Sequence, residues 1–521
     1  MSKKKLALIV LDGVGVGSND SSNPIHLIQP QNLNKLSQTY PYGTLQASGI
    51  AAGLGWNEEG RSEISHLLMG AGRVIYQNYP KISLAINNRT FYKNQILVEC
   101  LDNLKNKASN LHLIGLLSSL NSESSFAHLI AIINFIGEFI SQNKLPSQIC
   151  LHLSLDSNNK PEPAESLLEK ITKLKTQFPF LEIKSLCGRY FALDTTEHFD
   201  RIKESYETIL GTKPHYDTFE KYFTYHKERG LEAEKFPGGN LGTPYNLKPE
   251  DTLFFFNFKE ASVKELSSAF LDPNFNHFEK EAFPDLKIIT LTNYSNDFKK
   301  ALVVFPEEKI SDTVSEIISR NHLNQLKITE SVRGPEVTYY WNGLKETPLE
   351  NEYRIIIPSD LGLHPETKPE MMSAEITSRI IQSIEDNEMD FILANFPNGD
   401  IIGHTGDFEA SKKVVSILDE ALDLIVKSAL AKNWQIMIAG SHGNLEKIID
   451  SVTGYPDKKH NPNPVPVYII SNELLKTPNP GIRNQSTTDG IISDIGATVL
   501  DLLDLPKPES ISGKSLLKVL R

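Results

Sequence analysis

The sequence predicts an α/β protein built from two α/β units, and three observations support this fold class. Several short apolar runs, of which Leu6–Leu11 is the first, show no alternation, which is typical of strands buried on both faces of a parallel sheet. Strand-like and helix-like segments then alternate along most of the chain, a rhythm that favours parallel sheets covered by helices. Polar residues of the metal-ligand type follow several strands, where open α/β sheets build their binding sites.

Length and composition indicate a globular protein with more than one domain. The 521 residues exceed what a single core holds, and the apolar and charged fractions of 40% and 23% are those of an ordinary globular chain. The net charge of -12 argues against a nucleic-acid partner, because phosphate backbones need a basic face. Three cysteines without paired spacing fit a reducing compartment, so we expect a cytoplasmic protein without a thiolate metal site.

No segment of the sequence is expected to enter a membrane. The apolar run that follows the basic start of the chain ends at Asp12, which makes it too short for a signal peptide. The most apolar helix candidate, residues 126–140, is interrupted by His128 and Glu138 and is too short to span a bilayer. We therefore expect no membrane partner.

Predicted strands and helices alternate along the chain. Strands are predicted at residues 6–11, 111–116, 150–155, 181–187, 252–258, 326–329, 337–341, 353–357, 391–394, 434–439 and 465–470. Helices are predicted at residues 31–39, 126–142, 162–176, 198–210, 311–320, 371–384, 407–429 and 493–503. The stretch 212–248, with its Gly and Pro clusters, is predicted to be less regular. The rhythm between residues 79 and 310 implies a second parallel α/β unit.

Two stretches that follow predicted strands carry a candidate metal site. Asp400 and His404 come after the strand at 391–394 and are spaced i, i+4, so one helical turn places both on the same face. A carboxylate and an imidazole in this arrangement can share a divalent ion. The alternative is a turn aspartate and an unrelated surface histidine. Ser441 and His442 follow a later strand in the same way.

Three further positions could belong to such a site. Asp12 ends the first strand, where an Asp-Gly pair is either a simple turn or a ligand carboxylate at a strand end. Ser62 follows a Gly-containing loop and is either a helix N-cap or a nucleophile activated by a metal or a base. His460 precedes a strand, where a loop histidine is either solvated or turned inward as a ligand.

Eight short motifs along nearly the whole chain carry a resemblance to a known family. They are Leu11-Asp12-Gly13, Gly60-Arg61-Ser62-Glu63, residues 69–77, Gly188-Arg189-Tyr190, residues 396–400, Gly403-His404-Thr405-Gly406, His442-Gly443-Asn444 and Asn463-Pro464-Val465-Pro466. In this order they resemble the cofactor-independent (2,3-bisphosphoglycerate-independent) phosphoglycerate mutase family of the alkaline phosphatase superfamily.

The resemblance implies an alkaline-phosphatase-like metal-binding domain made of residues 1–78 and 312–521. A phosphotransferase domain, residues 79–311, is expected to be inserted in it. The implied enzyme is an isomerase of glycolysis and gluconeogenesis that interconverts 2- and 3-phosphoglycerate through a phosphoserine intermediate. The implied cofactor is a pair of Mn²⁺ ions, the expected ligand is a small phosphorylated metabolite, and the expected assembly is a monomer.

The resemblance also assigns roles to single residues. Ser62 matches the family's nucleophile. Asp400, His404 and His460 match the ligands of one metal ion, and all three are of the family's type. We therefore expect this first metal site to be complete.

The second metal site is expected to be incomplete. Asp12, Ser62 and His442 match ligands of the second ion, and its fourth ligand is an aspartate in the family. This chain has Ser441 at that position. A neutral hydroxyl is a poor substitute for a carboxylate on a hard divalent ion, so the second ion is expected to bind weakly or not at all.

The positions that the family uses to hold its substrate have lost several cationic side chains. Arg189 is kept. Lys259 stands in place of an arginine, and Arg333 in place of a lysine near the domain junction. The other altered positions are Glu123 for a histidine, Asn158 and Asn159 for an Arg-Asp pair, and Thr195 and Ser262 for arginines.

These losses matter because phosphoglycerate carries several negative charges, which bidentate arginines bind best. Three activities are compatible with the sequence. The first is a mutase with an altered site, and the second is a metal-dependent hydrolase of another phosphate ester. The third is a catalytically inactive relative that binds a metabolite or a protein.

Overall fold

A computed structural model describes residues 4–107, 109–157, 162–475 and 488–520. The chain divides into two compact units: unit 1 is Met1–Gln77 with Lys309–Arg521, and unit 2 is Asn78–Glu308. Each unit contains one eight-stranded sheet with helices, which confirms the predicted α/β class. That the two units are a metal-binding and a phosphotransferase domain stays a prediction.

The helices and strands follow in chain order. Unit 1 begins with β1 (Leu6–Leu11), α1 (Pro24–Ile28), α2 (Gln31–Thr39), β2 (Tyr42–Gln46) and α3 (Ser62–Ala71). Unit 2 contains α4 (Asn78–Asn87), α5 (Gln95–Lys107), β3 (Leu111–Leu116), α6 (Phe126–Asn143), β4 (Ile149–Leu155), α7 (Ala164–Leu174), β5 (Leu181–Gly188), α8 (Arg189–Ala192), α9 (Phe199–Leu210), β6 (His215–Tyr216), α10 (Phe219–Lys227), β7 (Gly239–Leu241), β8 (Thr252–Phe255), α11 (Lys264–Leu271), β9 (Lys287–Thr292) and β10 (Leu302–Phe305). Unit 1 resumes with α12 (Val314–Arg320), β11 (Gln325–Glu330), β12 (Glu352–Ile357), α13 (Ser373–Asp386), β13 (Phe391–Phe396), α14 (Asn398–Gly403), α15 (Phe408–Ala431), β14 (Gln435–Gly440), β15 (Val465–Ile470), β16 (Gly490–Ile491), α16 (Asp494–Leu502) and α17 (Leu517–Leu520).

The sheet of unit 1 has the strand order β12-β11-β13-β1-β14-β15-β2-β16. The five strands from β12 to β14 run parallel, whereas β15 is antiparallel to both of its neighbours. Every residue of β1, β13 and β15 is buried, which explains why these strands read as continuous apolar runs. Leu11 lies in register with Phe396 on one side and Gly440 on the other, so β1, β13 and β14 end at the same level.

The sheet of unit 2 has the order β10-β9-β8-β3-β4-β5-β7-β6. Its strands pair in parallel except at β5 and β7, which are antiparallel. Apolar side chains from both faces of this sheet form two separate core clusters under the helices. Among the described residues of both units, no helix combines the length and the apolar character needed to cross a bilayer.

The predicted strand at 337–341 is wrong. Ser331–Arg333 forms a 3₁₀ turn and Glu336–Tyr340 a π-helical turn, and neither belongs to a sheet. Valine and tyrosine favour strands because they suit a half-buried pleated surface. In this segment Val337 and Trp341 are both fully buried at helical i, i+4 spacing, so packing overrides the local preference.

Two other expectations need correction. The stretch 212–248 is more regular than predicted, because it contains α10 and the short strands β6 and β7. The strand predicted at 252–258 ends at Phe255. Beyond that point Tyr294 donates a hydrogen bond from its hydroxyl to the backbone carbonyl of Asn257 (2.7 Å), in place of a pairing with another strand.

Gly13 allows the turn after β1 to lie directly against α14. Its φ is +71°, and a Cβ atom there would lie 2.5 Å from the backbone N and Cα of Asp400. Gly454 has nearly the same φ, +72°, but nothing lies within 4 Å of the corresponding Cβ position. An alanine at either position would be strained by the positive φ, but only an alanine at position 13 would also clash. Comparing the two positions therefore distinguishes the cost of the clash from the cost of the strain.

We expect Gly13→Ala to lower the free energy of unfolding by about 3 kcal/mol, the sum of left-handed backbone strain and overpacking. Gly454→Ala, the matched control, should cost only about 1 kcal/mol because it adds strain without a clash. Urea unfolding of both variants measures the difference. Equal losses in the two variants would contradict the close approach at Gly13.

Candidate metal centre

The carboxyl edge of the unit 1 sheet brings the predicted site residues together. Asp12 follows β1 directly, Ser441 and His442 follow β14, and Asp400 lies in the first turn of α14, which begins two residues after β13. These strands end at the same level because of their register. His460 reaches the same edge because it precedes β15, whose antiparallel direction makes it enter the sheet where β14 leaves.

Asp400 is the centre of this cluster. Its carboxylate is fully buried, and its Oδ1 lies 2.9 Å from His442 Nε2, 3.0 Å from His460 Nε2 and 3.3 Å from His404 Nε2. Burial by itself would raise the pKa of Asp400, but the three imidazoles that face it hold that pKa well below its usual range. The carboxylate is therefore ionised, as a metal ligand has to be.

Backbone carbonyls fix the ring tautomers of two of these histidines. His404 Nδ1 lies 2.7 Å from the carbonyl of Lys458, and His460 Nδ1 lies 2.8 Å from the carbonyl of Gly60. A carbonyl only accepts, so both Nδ1 atoms carry the proton and both Nε2 atoms present a lone pair. The two Nε2 atoms face each other at 2.9 Å.

These atoms fit a divalent metal ion. The ligand atoms of Asp400, His404 and His460 lie within 4.8 Å of one another, in the described part of the chain. A carboxylate oxygen and two imidazole lone pairs that point at one another repel unless they share a cation. One carboxylate and two imidazoles form a donor set typical of Mn²⁺, Fe²⁺ or Zn²⁺. The predicted first set of ligands is thus brought together, and its role as a metal site stays a prediction.

The residues of the predicted second set form a closed hydrogen-bond network around Asp12. Ser441 Oγ donates to Asp12 Oδ1 (2.6 Å), and Ser62 Oγ donates to Asp12 Oδ2 (2.9 Å). Ser441 Oγ also accepts the backbone N–H of Gly13 (3.1 Å). His442 Nδ1 lies 2.9 Å from Ser441 Oγ. Each side-chain atom of this set that could bind a metal ion therefore has a hydrogen-bond partner nearby.

Ser62 is the first residue of α3 and is almost fully buried. The N-terminal end of a helix carries partial positive charge and unpaired N–H groups, which favours an anionic group at this place. His66, one turn further along, has its Nδ1 2.8 Å from the carbonyl of Ser62, and its Nε2 is buried without a partner. Burial lowers the pKa of His66, so this imidazole is neutral.

Arg333 enters the same centre from the 3₁₀ turn after β11. Its Nε donates to Asp12 Oδ2 (2.9 Å), its Nη2 donates to Asp400 Oδ2, and its Nη1 lies 3.5 Å from Glu336 Oε1. Burial alone would lower the pKa of Arg333, but the charges of Asp12 and Asp400 outweigh burial and raise it. The guanidinium therefore bridges the two carboxylates that belong to the two predicted metal sites.

In unit 2 the retained arginine is already paired. Arg189 Nη1 donates to Asp156 Oδ2 (2.7 Å), and Arg189 Nη2 donates to Glu123 Oε1 (2.9 Å). Burial alone would lower the pKa of Arg189, but its two carboxylate partners raise it. The one cationic position that matches the family unchanged therefore has its charge balanced inside the unit.

The other predicted substrate residues of unit 2 do not form a cationic cluster. Lys259 and Thr195 are exposed, and Ser262 is buried, where its Oγ donates to the carbonyl of Lys259 (2.7 Å) and accepts from Asn257 (2.9 Å). Asn158 and Asn159 lie outside the described residues.

Three site residues were missed by sequence reasoning. Asn444 Nδ2 donates to Asp400 Oδ1 (3.2 Å), and Glu446 Oε2 accepts the backbone N–H groups of Gly15 (2.9 Å) and Asn444 (3.0 Å). Glu336 holds the outer side of the Arg333 guanidinium, and burial raises its pKa to about 7. Asn444 lies in the predicted stretch beside His442, but no local pattern marks the two glutamates.

Comparisons with known proteins show the family to which the chain is similar. The chain matches a family model described as the Metalloenzyme superfamily over residues 4–507. It is 33% identical to a 2,3-bisphosphoglycerate-independent phosphoglycerate mutase of Clostridium botulinum, over 99% of this chain and 100% of that protein. It is 31% identical to the enzyme of the same name from Ectopseudomonas mendocina, over 99% of each chain.

The chain belongs to the 2,3-bisphosphoglycerate-independent phosphoglycerate mutase family of the Metalloenzyme superfamily. The predicted family is thereby confirmed. A crystal structure of Leishmania mexicana phosphoglycerate mutase, determined at low cobalt concentration, has the same fold, with a TM-score of 0.54 and 24% identity over 99% of this chain and 98% of that one.

We expect His460→Ala to weaken Mn²⁺ binding by at least about 100-fold, because outer-sphere changes alone cost 10–100-fold and this change removes a predicted ligand. His364→Ala is the matched control, since His364 is an exposed histidine of the same unit. Isothermal titration of metal-stripped protein with Mn²⁺ measures both variants. Unchanged affinity in His460→Ala would exclude this residue as a ligand.

Proposed function

We propose that the protein is a metal-dependent phosphoryl-transfer enzyme of the phosphoglycerate mutase type, in which Ser62 accepts the phosphoryl group. We further propose that transfer back to the substrate is inefficient, so that hydrolysis competes with interconversion of 2- and 3-phosphoglycerate. The observation that carries this proposal is the bond from Ser62 Oγ to Asp12, next to the cluster of Asp400, His404 and His460.

The surroundings of Ser62 support its role as a nucleophile. Asp12 accepts the hydroxyl proton at 2.9 Å, which points the oxygen's lone pairs away from the carboxylate. As the bond from Oγ to phosphorus forms, this proton passes to Asp12. The bond from phosphorus to the ester oxygen breaks, and the leaving oxygen takes a proton from water. The N-terminal N–H groups of α3 favour the negative charge of the resulting phosphoserine.

Asp400, His404 and His460 are proposed to hold one divalent ion firmly, with Mn²⁺ preferred, and the set around Asp12 is proposed to be an incomplete second site. When bound, such an ion supplies Lewis-acid polarisation of a phosphoryl oxygen. The mixed carboxylate and imidazole set supports this choice of ion, because it is intermediate between all-oxygen and thiolate sites. The monomeric state and the cytoplasmic location stay predictions.

The small number of cationic side chains at the predicted substrate positions of unit 2 supports slow transfer. We propose that residues 78–308 form the substrate-binding domain. In this unit Glu123 and Asp156 occupy the guanidinium of Arg189, and Thr195 and Ser262 carry no charge. A glycerate held by few cations leaves before it can take back the phosphoryl group through its other hydroxyl. Water then attacks the phosphoserine, and inorganic phosphate is the product.

A hydrolase of a different phosphate ester is the second candidate function. The observation that favours it is again the pairing of Arg189, because a less anionic alcohol would not need that cation. Such an enzyme would use Ser62 and the same metal ligands. The two candidates differ in the alcohol that is released, so the products distinguish them.

We expect slow turnover of 3-phosphoglycerate in which phosphate release exceeds formation of 2-phosphoglycerate, and we expect Ser62→Ala to abolish both. Each ~1.36 kcal/mol of lost transition-state stabilisation lowers the rate about tenfold. Coupled assays for 2-phosphoglycerate and for phosphate, run in parallel with Mn²⁺, measure the partition.

Ser65→Ala is the matched control for Ser62→Ala, because Ser65 is a buried serine of the same helix and donates to the carbonyl of Ser441. It should lose about 1 kcal/mol of stability and keep its turnover. Mutase turnover that far exceeds phosphate release would contradict the proposed partition. Turnover that survives Ser62→Ala would exclude the phosphoserine.

We expect Glu123→Gln to tighten the binding of 3-phosphoglycerate by about tenfold, or ~1.4 kcal/mol, because it removes one of the two negative charges that neutralise Arg189. The measurement is isothermal titration in the Ser62→Ala background, where the ligand is not consumed. Glu228→Gln removes one negative charge from an exposed position of the same unit and controls for net charge. Equal affinities in the two variants would show that Arg189 does not bind this ligand.

A further inference from the structure

The residues around Asp12 form a poor set of ligands for a second metal ion. Asp12 Oδ1 accepts from Ser441 Oγ, and Asp12 Oδ2 accepts from both Ser62 Oγ and Arg333 Nε. A divalent ion needs deprotonated ligands with free lone pairs. The one carboxylate of this set is paired with a permanent cation, Arg333, and the position of the family's other carboxylate is a neutral hydroxyl. The residues present therefore do not fit a second ion.

Arg333 stands where that ion's charge would be required. Its guanidinium reaches Asp12 through Nε and Asp400 through Nη2, and these carboxylates belong to the two different metal sites of the family. Its Nε and the hydroxyl of Ser62 share a single oxygen, Asp12 Oδ2, at 2.9 Å each. The cation is thus placed beside the nucleophile's oxygen.

A guanidinium at this place also repels a second ion. Arginine does not deprotonate in proteins, so its charge cannot be removed to admit a metal. Its planar fork reaches the two carboxylates through separate nitrogens, whereas the family's lysine has a single ammonium nitrogen. The side chain is largely buried, with 21% of its surface exposed, and Glu336 holds its outer Nη1. Solvent screening of the repulsion is therefore weak.

We propose that Arg333 replaces the second metal ion, so that the centre is mononuclear, with one divalent ion and one guanidinium beside Ser62. Two independent observations lead to this inference: the residue type at position 441, and the contacts of Arg333 with Asp12 and Asp400. Both features act against a second cation, because Ser441 removes a ligand with its negative charge and Arg333 keeps a fixed positive charge between the two carboxylates. The inference rests on the proposed function only in that Ser62 is the nucleophile.

The test is metal stoichiometry and does not require turnover. Metal-stripped protein is titrated with Mn²⁺ by calorimetry, and the bound Mn²⁺ is examined by electron paramagnetic resonance. We expect one equivalent in the unmodified protein, with the resolved hyperfine pattern of an isolated ion. Two equivalents of similar affinity, or the broadened spectrum of a spin-coupled pair, would overturn the inference without any variant being needed.

Variants then assign the effect to Arg333. Ser441→Asp restores the carboxylate and Arg333→Lys restores the smaller cation of the family. The double variant should bind a second equivalent at least about tenfold more tightly than either single variant, because the two residues share Asp12 as a partner and their effects are not additive. Arg320→Lys, at an exposed arginine of unit 1, is the control. A double variant that still binds a single ion would show that Arg333 does not exclude the second.

The mononuclear centre and the proposed function can be disproved independently of each other. One bound ion together with turnover that survives Ser62→Ala would leave the mononuclear centre standing and remove the proposed nucleophile. Two bound ions together with turnover that depends on Ser62 would leave the proposed function standing and remove the role of Arg333.

Discussion

The buried carboxylate of Asp400 is the group on which the centre of unit 1 depends. One of its oxygens faces three imidazoles, and the other accepts from Arg333. An ionised carboxylate without partners would cost several kcal/mol in a site from which water is excluded. The loops after β11, β14 and α14 and the loop before β15 therefore all contribute a side chain to the same carboxylate.

Most residues of this centre could be predicted from the sequence, because the ends of buried strands can be recognised in it. An unbroken apolar run predicts a buried strand, and the parallel strands β1, β13 and β14 bring Asp12, Asp400 and Ser441 to one edge. His460 reaches that edge only because β15 is antiparallel, and no periodicity reports the direction of a strand. The strand predicted at 337–341 was wrong for a related reason. Val337 and Trp341 are buried at helical spacing against α3, which lies far away in the sequence.

The sequence does not show whether a charged side chain is already paired with an opposite charge in the folded protein. Arg189 reads as a retained cation, yet whether it can bind an anion depends on Glu123 and Asp156, which lie 66 and 33 residues away. Arg333 stands in place of a family lysine, yet its contacts with Asp12 and Asp400 through separate nitrogens could not be predicted from the residue type. In both units the family resemblance predicts a role for the arginine. Whether its guanidinium can bind a ligand depends on the carboxylates that pair with it in the folded chain.

The position of His460 has a consequence for the unfolded chain. An ion shared by Asp400 and His460 would join two residues that are 60 positions apart. Such a bond acts as a reversible cross-link, because it removes conformations of the denatured ensemble in the way that a disulfide does, and closure of a long loop removes many of them. The metal would then link α14 to the segment before β15. Its removal would destabilise the antiparallel strand β15 as well as the site.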